Sequence, residues 1–212
     1  MLPGQMLESF DFNVVPMISK ALVLAICAGD SWIDKGANLL LIGGPGGGKT
    51  HLASAIGLAR VENGWRVLFA RTSDLVQRLQ VARGELALEA GINRLDCFHL
   101  LILNDLAYVS KDQAAASVLF ELISARYERR STLITTNQPF GVCGKVFPDP
   151  AMTLAAVDRL VHQATIFEIN VDSYRRRVAL EPKHKGAGRP QDYATINPSY
   201  SPARQVRFRF RS

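Results

Sequence analysis

The sequence predicts an α/β fold in which a doubly wound, five-stranded parallel sheet is covered by helices on both faces. Its apolar runs, such as NLLLI at residues 38–42, lack polar alternation, so the strands are expected to be buried on both faces. Segments with helical spacing separate the runs, as in parallel sheets built from strand–helix–strand units. A glycine-rich segment joins the first strand to a helix. Together these observations predict the P-loop class of doubly wound folds.

The predicted elements alternate regularly along the chain. The first residues, Met1–Pro16, are expected to be extended, with Phe10, Asp11 and Phe12 as anchors. The predicted strands are Asn38–Ile42, Arg66–Ala70, Phe98–Leu103, Ser131–Thr135 and Ala164–Asn170. The predicted helices include Lys20–Ala28, Lys49–Asn63 and Met152–Leu160, and the second of these ends at Gly64. A further helix is expected to begin at a cap formed by Thr72 or Ser73 and to run to about Ala82. Another is expected to begin at the cap Asp112, with a buried stripe formed by Val118, Leu119, Leu122 and Ile123.

Composition divides the 212 residues into three parts. Residues 1–36 are expected to form an N-terminal linker and helix, residues 37–177 the α/β core, and residues 178–212 a basic, weakly ordered tail rich in Pro, Gly, Lys and Arg. From residue 171 onward there are ten basic and three acidic residues, which leaves fifteen basic and sixteen acidic residues before it. Such a tail either attracts phosphate backbones or is simply solvated.

The cysteines and the apolar runs favour a cytoplasmic location. The three cysteines (Cys27, Cys97 and Cys143) have no disulfide or metal-binding spacing, and Cys27 is expected to be buried. No signal peptide is recognised, and the apolar run at residues 21–28 is too short to span a bilayer. The sequence therefore predicts no membrane partner.

The pattern GxxxxGK[ST] occurs between the first predicted strand and the helix that follows it. Its glycines allow backbone N–H groups to surround a phosphate, and the helix N-terminus adds partial positive charge. Lys49 is expected to reach the β- and γ-phosphates, and Thr50 to ligate Mg²⁺, so the predicted ligands are ATP and Mg²⁺. The alternative is a glycine-rich turn with an incidental lysine. The predicted nucleotide-binding residues are Gly43, Gly44, Pro45, Gly46, Gly47, Gly48, Lys49, Thr50 and His51, although packing or capping is the simpler role for His51.

Polar residues end the third and fourth predicted strands. Asn104 and Asp105 follow a hydrophobic strand, as the acidic residues of a Walker B site do. Asn104 is expected at the metal position, without the charge of an aspartate, and Asp105 is the candidate general base. Asn137 is expected to orient the attacking water from the end of the fourth strand. The alternatives are an ordinary strand end at Asn104 and an Asn-Gln-Pro turn at Asn137.

Arg159 lies on the last predicted helix in the sequence Asp-Arg-Leu. On a surface helix an arginine is usually only solvated. If subunits assemble in a ring or spiral, however, Arg159 is a candidate arginine finger that enters the site of the neighbouring subunit. His99 and His162 have no partners at metal-ligand spacing.

Five segments together resemble the IstB-type transposition helper ATPases, which are AAA+ proteins related to the DnaC helicase loader. The resemblance covers roughly residues 7–177. It is carried by GGPGGGKTHLA, LLILNDLAYV, SVLFELISARYERRSTLITTNQPF, VFPDP and AAVDRLVHQATIFEINVDSYRRR.

The resemblance implies an AAA+ fold without a helical lid and an ATP-dependent homo-oligomer. Such an oligomer binds double-stranded DNA and directs or activates a cognate transposase. It also implies Lys49 and Thr50 at the phosphates and Mg²⁺, Asn104 and Asp105 at the Walker B positions, Asn137 as sensor 1 and Arg159 as the finger.

Three departures from the family leave alternatives open. One is the last stretch of the basic tail, RQVRFRFRS, which contains no recognised motif. The chain begins almost at the core, whereas the family usually has a helical region before it, so the resemblance implies an N-terminal truncation. In addition, Asn104 replaces the expected aspartate. A transposition helper, a nucleotide-binding pseudo-ATPase and a DnaC-like helicase loader all stay open, whereas a metabolic kinase has no evident acceptor site. Candidate DNA contacts are Arg71, Arg78, Arg83 and the tail.

Overall fold

The computed structural model describes residues 6–106, 112–138, 147 and 149–169. Its single sheet contains five strands in the order β2-β3-β4-β1-β5, and every neighbouring pair is parallel. The predicted α/β class and the five-stranded parallel sheet are therefore confirmed. The strands are β1 (Asn38–Gly43), β2 (Val67–Arg71), β3 (Leu100–Asn104), β4 (Ser131–Thr136) and β5 (Ala164–Ile169).

Seven α-helices are seen in the described ranges, and each of the five predicted helices is among them. No helical lid is found there, and none of these helices is long and apolar enough to cross a membrane. The helices are α1 (Lys20–Ala28), α2 (Ser31–Asp34), α3 (Lys49–Glu62), α4 (Thr72–Gly84), α5 (Leu88–Leu95), α6 (Gln113–Arg126) and α7 (Pro150–Val161).

Two local predictions were wrong. Within the described residues 6–16, the chain is not extended, because Leu7–Ser9 and Phe12–Val14 form two short 3-10 helices. Neither Thr72 nor Ser73 caps α4: the Thr72 hydroxyl donates to the Asn104 carbonyl, and that of Ser73 to Asp74. The predicted cap of α6 is confirmed, since the Asp112 carboxylate accepts from the Ala115 N–H at 2.7 Å.

The core has two apolar layers, one on each face of the sheet. Side chains alternate along each strand, so Ile102 and Leu133 pack with α1 and α3, while Leu101 and Ile134 pack with α4 to α7. Both layers contain residues that are fully buried, as predicted from apolar runs without alternation. Cys27 is also buried, as predicted. This packing fixes the positions of β1, β3 and β4, whose carboxyl ends carry the predicted site residues.

Arg126 at the end of α6 joins the beginnings of β3 and β4. Its side chain is 2% exposed, and its guanidinium donates to the carbonyls of Leu95, Phe98 and Ser131 at 2.9–3.1 Å. Burial lowers the pKa of Arg126 to about 10, and the Asp96 carboxylate, 3.9 Å away, partly opposes that shift. The guanidinium thus satisfies carbonyls that the surrounding apolar layer would otherwise leave unpaired.

We expect Arg126→Met to lower the free energy of unfolding by about 3 kcal/mol, because several buried carbonyls lose their donor. Arg129→Met is the matched control, since Arg129 also pairs with Asp96, at 3.0 Å, but is 66% exposed. That control should change stability by no more than about 0.5 kcal/mol. Urea unfolding of the three proteins measures both effects, and equal losses in the two variants would contradict the role given to Arg126.

Candidate functional site: a phosphate loop beside two polar strand ends

The glycine-rich loop runs from the end of β1 to the first turn of α3. Gly43 has φ 153°, and a Cβ there would lie 2.1 Å from the Ile169 carbonyl oxygen of β5. Gly46 and Gly48 also have positive φ, at 82° and 89°. Glycine accepts these conformations without a steric penalty, so the sequence selects a tight backbone curve at this point. The curve leads directly into the N-terminus of α3, which is the arrangement predicted for phosphate binding.

Lys49 is almost fully buried at the start of α3. Its ammonium donates to the carbonyls of Gly43 and Gly44 at 2.6 Å and 2.7 Å. Burial lowers the pKa of Lys49, and the nearby Asp105 carboxylate partly opposes that shift. The structure therefore holds the ammonium against the loop itself, where the sequence analysis expects phosphate groups to bind.

Thr50 connects the phosphate loop to the end of β3. Its hydroxyl donates to the Asn104 side-chain oxygen at 3.0 Å. The Thr135 hydroxyl on β4 donates to the same oxygen at 3.1 Å. The two residues predicted at the Mg²⁺ position, Thr50 and Asn104, are thus in direct contact.

Asp105 follows β3 in the left-handed backbone region, with φ 67°. Its N–H donates to the Thr135 hydroxyl at 2.8 Å, whereas its Oδ1 is buried without a hydrogen-bond partner. Burial raises the pKa of Asp105, and the positive charge of Lys49 partly opposes that shift. A strained backbone and an unpaired buried carboxylate oxygen are unfavourable for folding, and such features concentrate at functional sites.

Asn137 lies directly after β4. Its side-chain oxygen is also buried without a hydrogen-bond partner. Strands β3 and β4 are adjacent and parallel, so their carboxyl ends lie at the same edge of the sheet. The unpaired oxygens of Asp105 and Asn137 both belong to residues that follow these strand ends. They are acceptors available to a ligand or a water molecule at this edge of the sheet.

His51 faces away from this polar cluster, toward the N-terminal segment. Its Nε2 lies 3.0 Å from the Ser9 hydroxyl and 3.1 Å from the Met6 carbonyl. Phe10 packs edge-on against the imidazole, and its ring would lie 3.0 Å from a Cβ at Gly48. The side chain of His51 therefore packs on this segment, and a direct contact of His51 with nucleotide stays a prediction.

Arg159 lies far from the phosphate loop of its own chain. Its carbonyl and that of Leu160 accept from the Asn38 amide at 3.3 Å and 3.1 Å, which places them at the beginning of β1. The loop starts at the opposite end of that strand, about 16 Å away for five residues at roughly 3.3 Å each. The Arg159 guanidinium instead donates to Ala155 and lies over the Phe120 ring. A catalytic role for Arg159 would thus require a neighbouring subunit.

Comparisons with known proteins agree with this geometry. The family model described as IstB-like ATP binding protein matches residues 1–182. The chain belongs to this family. It is 72% identical over 193 residues to a putative insertion sequence ATP-binding protein of Sinorhizobium fredii (strain NBRC 101917 / NGR234), covering 91% of this chain and 64% of that relative. It is 38% identical to the insertion sequence IS21 putative ATP-binding protein of Pseudomonas aeruginosa, and the match covers 80% of this chain and 63% of that relative. The chain thus spans less than two thirds of the length of these curated relatives.

Among solved structures, this IstB-like chain is similar to the crystal structure of the DnaC helicase loader. The TM-score is 0.59 and the sequence identity 21%, with 72% of this chain and 86% of the other covered. At that identity the similarity concerns the fold alone, and it confirms the α/β P-loop NTPase fold.

Two features of this IstB-like site were missed from the sequence. The Thr135 hydroxyl contacts both Asn104 and Asp105, whereas the sequence analysis assigns a role at the end of the fourth strand to Asn137 only. Phe10 was expected only as an anchor of an extended segment, yet it packs on the loop glycine Gly48. The threonine pair at the end of β4 is the signal that could have indicated the first contact.

Asp105→Asn should increase stability at neutral pH. The raised pKa of Asp105 means that the native protein loses stability as the pH rises through that pKa, because the buried carboxylate becomes charged. An amide stays neutral, and asparagine tolerates positive φ. The gain in melting temperature should disappear at a pH below the ordinary carboxyl pKa of about 4, where the wild-type carboxyl is protonated in both states. Thermal melts from pH 3 to pH 8 measure this difference in melting temperature between the variant and the wild type. Asp34→Asn, at an exposed position, is the control. A loss of stability at pH 7 would contradict the expectation.

Proposed function

We propose that this chain is the ATPase core of an insertion-sequence helper protein that binds ATP with Mg²⁺, assembles on double-stranded DNA and activates a transposase. The family supports the association with insertion sequences. The observation that carries the nucleotide part is the hydrogen bond from the Thr50 hydroxyl to the Asn104 side chain. It joins the phosphate loop to the strand end that supplies the acidic residue.

The residues present fit a bound Mg²⁺–ATP. The curve of the loop is glycine-lined and leads to a helix N-terminus, which suits a polyphosphate. Thr50 and Asn104 offer a hydroxyl and an amide oxygen, which are the hard oxygen ligands that Mg²⁺ prefers, directly or through water. When bound, Mg²⁺ would neutralise phosphate charge. The Lys49 ammonium, now 2.6 Å and 2.7 Å from loop carbonyls, would bind the β- and γ-phosphates.

For hydrolysis, Asp105 is the candidate general base. Its buried Oδ1 has no partner, so it is free to accept the proton of the attacking water. The raised pKa increases its basicity compared with an ordinary aspartate. Asn137 would orient the same water through its unpaired side-chain oxygen. Arg159 would stabilise the transition state only from a neighbouring subunit, so we expect efficient turnover to require a homo-oligomer such as a ring or spiral.

Asn104 favours a second function, that of a nucleotide-gated binding module with slow hydrolysis. Its side-chain oxygen already accepts hydrogen bonds from two hydroxyl groups, those of Thr50 and Thr135. An aspartate would offer a second oxygen and a negative charge, whereas the asparagine offers an N–H₂ donor. The amide therefore supports Mg²⁺ less well than a carboxylate. Helicase loading is not preferred, because the similarity to the DnaC loader concerns the fold alone.

Double-stranded DNA is the proposed macromolecular partner. Three candidate contacts on β2 and α4 are exposed, namely Arg71, Arg78 and Arg83. Arg71 ends β2 and is the direct register partner of Asn104 on β3. This adjacency supports a link between the nucleotide site and a surface that attracts phosphate backbones. The basic C-terminal tail, which lies outside the described residues, is a further candidate.

Binding of the 212-residue chain to labelled double-stranded DNA tests the proposal by fluorescence anisotropy. We expect tighter binding with ATP than without it, and a steep loss of affinity as salt increases. Lys49→Ala should weaken ATP binding by about tenfold or more, since it removes charge-assisted hydrogen bonds, and should abolish the stimulation by ATP. The exposed Lys35→Ala is the control. Absence of DNA binding at low salt with ATP present would refute this part of the proposal.

Turnover distinguishes a slow ATPase from an efficient one. Asn104→Asp should raise steady-state phosphate release by about tenfold, which corresponds to roughly 1.4 kcal/mol in the barrier. Asp105→Asn should abolish release in either background, which shows that the signal comes from this site. Equal turnover in the wild type and Asn104→Asp would mean that the amide does not limit hydrolysis.

A further inference from the structure

The Thr135 hydroxyl is bonded to both residues of the Walker B pair. It accepts from the Asp105 N–H at 2.8 Å and donates to the Asn104 side-chain oxygen at 3.1 Å. Thr135 is 1% exposed, so water does not replace either bond easily. It contacts two candidate site residues through a single atom, and neither bond is needed for the β3–β4 ladder.

The position of Thr135 follows from the parallel register. Leu103 pairs with Ile134, so Asn104 and Thr135 come one step later on the adjacent strands. Side chains alternate along a strand, so Asn104 continues the face of Ile102 and Thr135 the face of Leu133. Both of those apolar residues pack in the layer that contains α3. Asn104 and Thr135 therefore extend the α3-facing stripe to the end of the sheet, beside Thr50 at the start of α3.

Donor and acceptor chemistry fixes the direction of these bonds. A hydroxyl has one proton, and the oxygen of Thr135 already accepts the Asp105 N–H, so its proton is available for one acceptor. Thr50 presents a second hydroxyl proton to the same place, at 3.0 Å from the Asn104 oxygen. With the Asn104 amide in the other orientation, both hydroxyl protons would lose this acceptor. The pair of threonines thus selects the orientation with the oxygen toward Thr50.

We infer that Thr135 is a positioning residue for the nucleotide site, which turns the Asn104 oxygen toward Thr50 and holds the Asp105 backbone in its left-handed conformation. This inference deepens the proposed function and rests on it for the effect on Mg²⁺–ATP. Asp105 has φ 67° and an unpaired buried oxygen, so local energetics alone would favour relaxation. The N–H bond to Thr135 opposes that relaxation, and the bond to Asn104 transmits the same constraint to the metal position.

A first experiment measures the backbone contact without nucleotide. Amide hydrogen exchange at Asp105 should be about five- to tenfold faster in Thr135→Val than in the wild type, the effect of one lost hydrogen bond. Thr135→Ser keeps the hydroxyl and should restore slow exchange. Thr132→Val is the matched control, because Thr132 is a buried threonine on the opposite face of the same strand. Unchanged exchange in Thr135→Val would overturn the positioning role.

A second experiment measures the contact with Asn104 through a double-mutant cycle. Thr135→Val should weaken Mg²⁺-dependent ATP binding by about tenfold in the wild-type background. In the Asn104→Asp background the loss should be about threefold or less, because a carboxylate has two equivalent oxygens and no orientation to fix. Equal losses in the two backgrounds, or no recovery in Thr135→Ser, would overturn the inference. If the wild type binds no ATP at all, the proposed function fails, and the exchange experiment alone decides the role of Thr135.

Discussion

The Asn104 side-chain oxygen accepts hydrogen bonds from hydroxyl groups of two different elements, Thr50 of α3 and Thr135 of β4. These bonds connect the phosphate loop, the end of β3 and the end of β4 at one atom. The connection depends on the parallel register and on the apolar layers that fix the strands. Lys49 and Asp105 then lie close enough for their charges to influence each other. The strand order and the position of α3 thus bring these polar residues together.

Asp105 shows what such a cluster costs the folded protein. A positive φ and a buried unpaired carboxylate oxygen both disfavour the native state. Lys49 reduces the electrostatic part of that cost, because its ammonium favours the charged carboxylate. The rest is opposed by the hydrogen bond from the Asp105 N–H to Thr135. A residue selected only for stability would not be an aspartate here, which supports a chemical role for the side chain.

The sequence predicted the sheet well because its strongest signals are local. Buried apolar runs located all five strands to within about two residues at each end, and the glycine pattern located the loop. The third strand begins at Leu100, two residues later than expected. Just before it, the His99 ring accepts a hydrogen bond from the Arg66 backbone N–H, and the His99 backbone N–H donates to the Arg66 carbonyl. The end of the strand, at Asn104, falls one residue later than predicted.

The failures concern elements that tertiary contacts decide. Helix α5 was not predicted, because it is short and contains Gly91, which lowers helix propensity. In the structure a Cβ at Gly91 would lie 3.3 Å from the Leu79 side chain, so the glycine permits close packing of α4 and α5. The sequence predicts that Thr72 or Ser73 caps α4, but the Thr72 hydroxyl donates to the Asn104 carbonyl and the Ser73 hydroxyl to Asp74. The role of Thr135 required the strand order, since β3 and β4 are separated by α6 in the sequence.

The position of Arg159 connects the site to assembly. Its backbone is bonded near the first residue of β1, while the phosphate loop follows the last residue of the same strand. The length of β1 therefore separates Arg159 from the phosphate loop. No rotation of the Arg159 side chain spans that distance. The Phe120 ring and the Ala155 carbonyl hold the guanidinium within its own subunit. For Arg159 to act as a finger, contact with a neighbouring loop must compete with these two contacts, so turnover would then depend on the concentration of assembled chain.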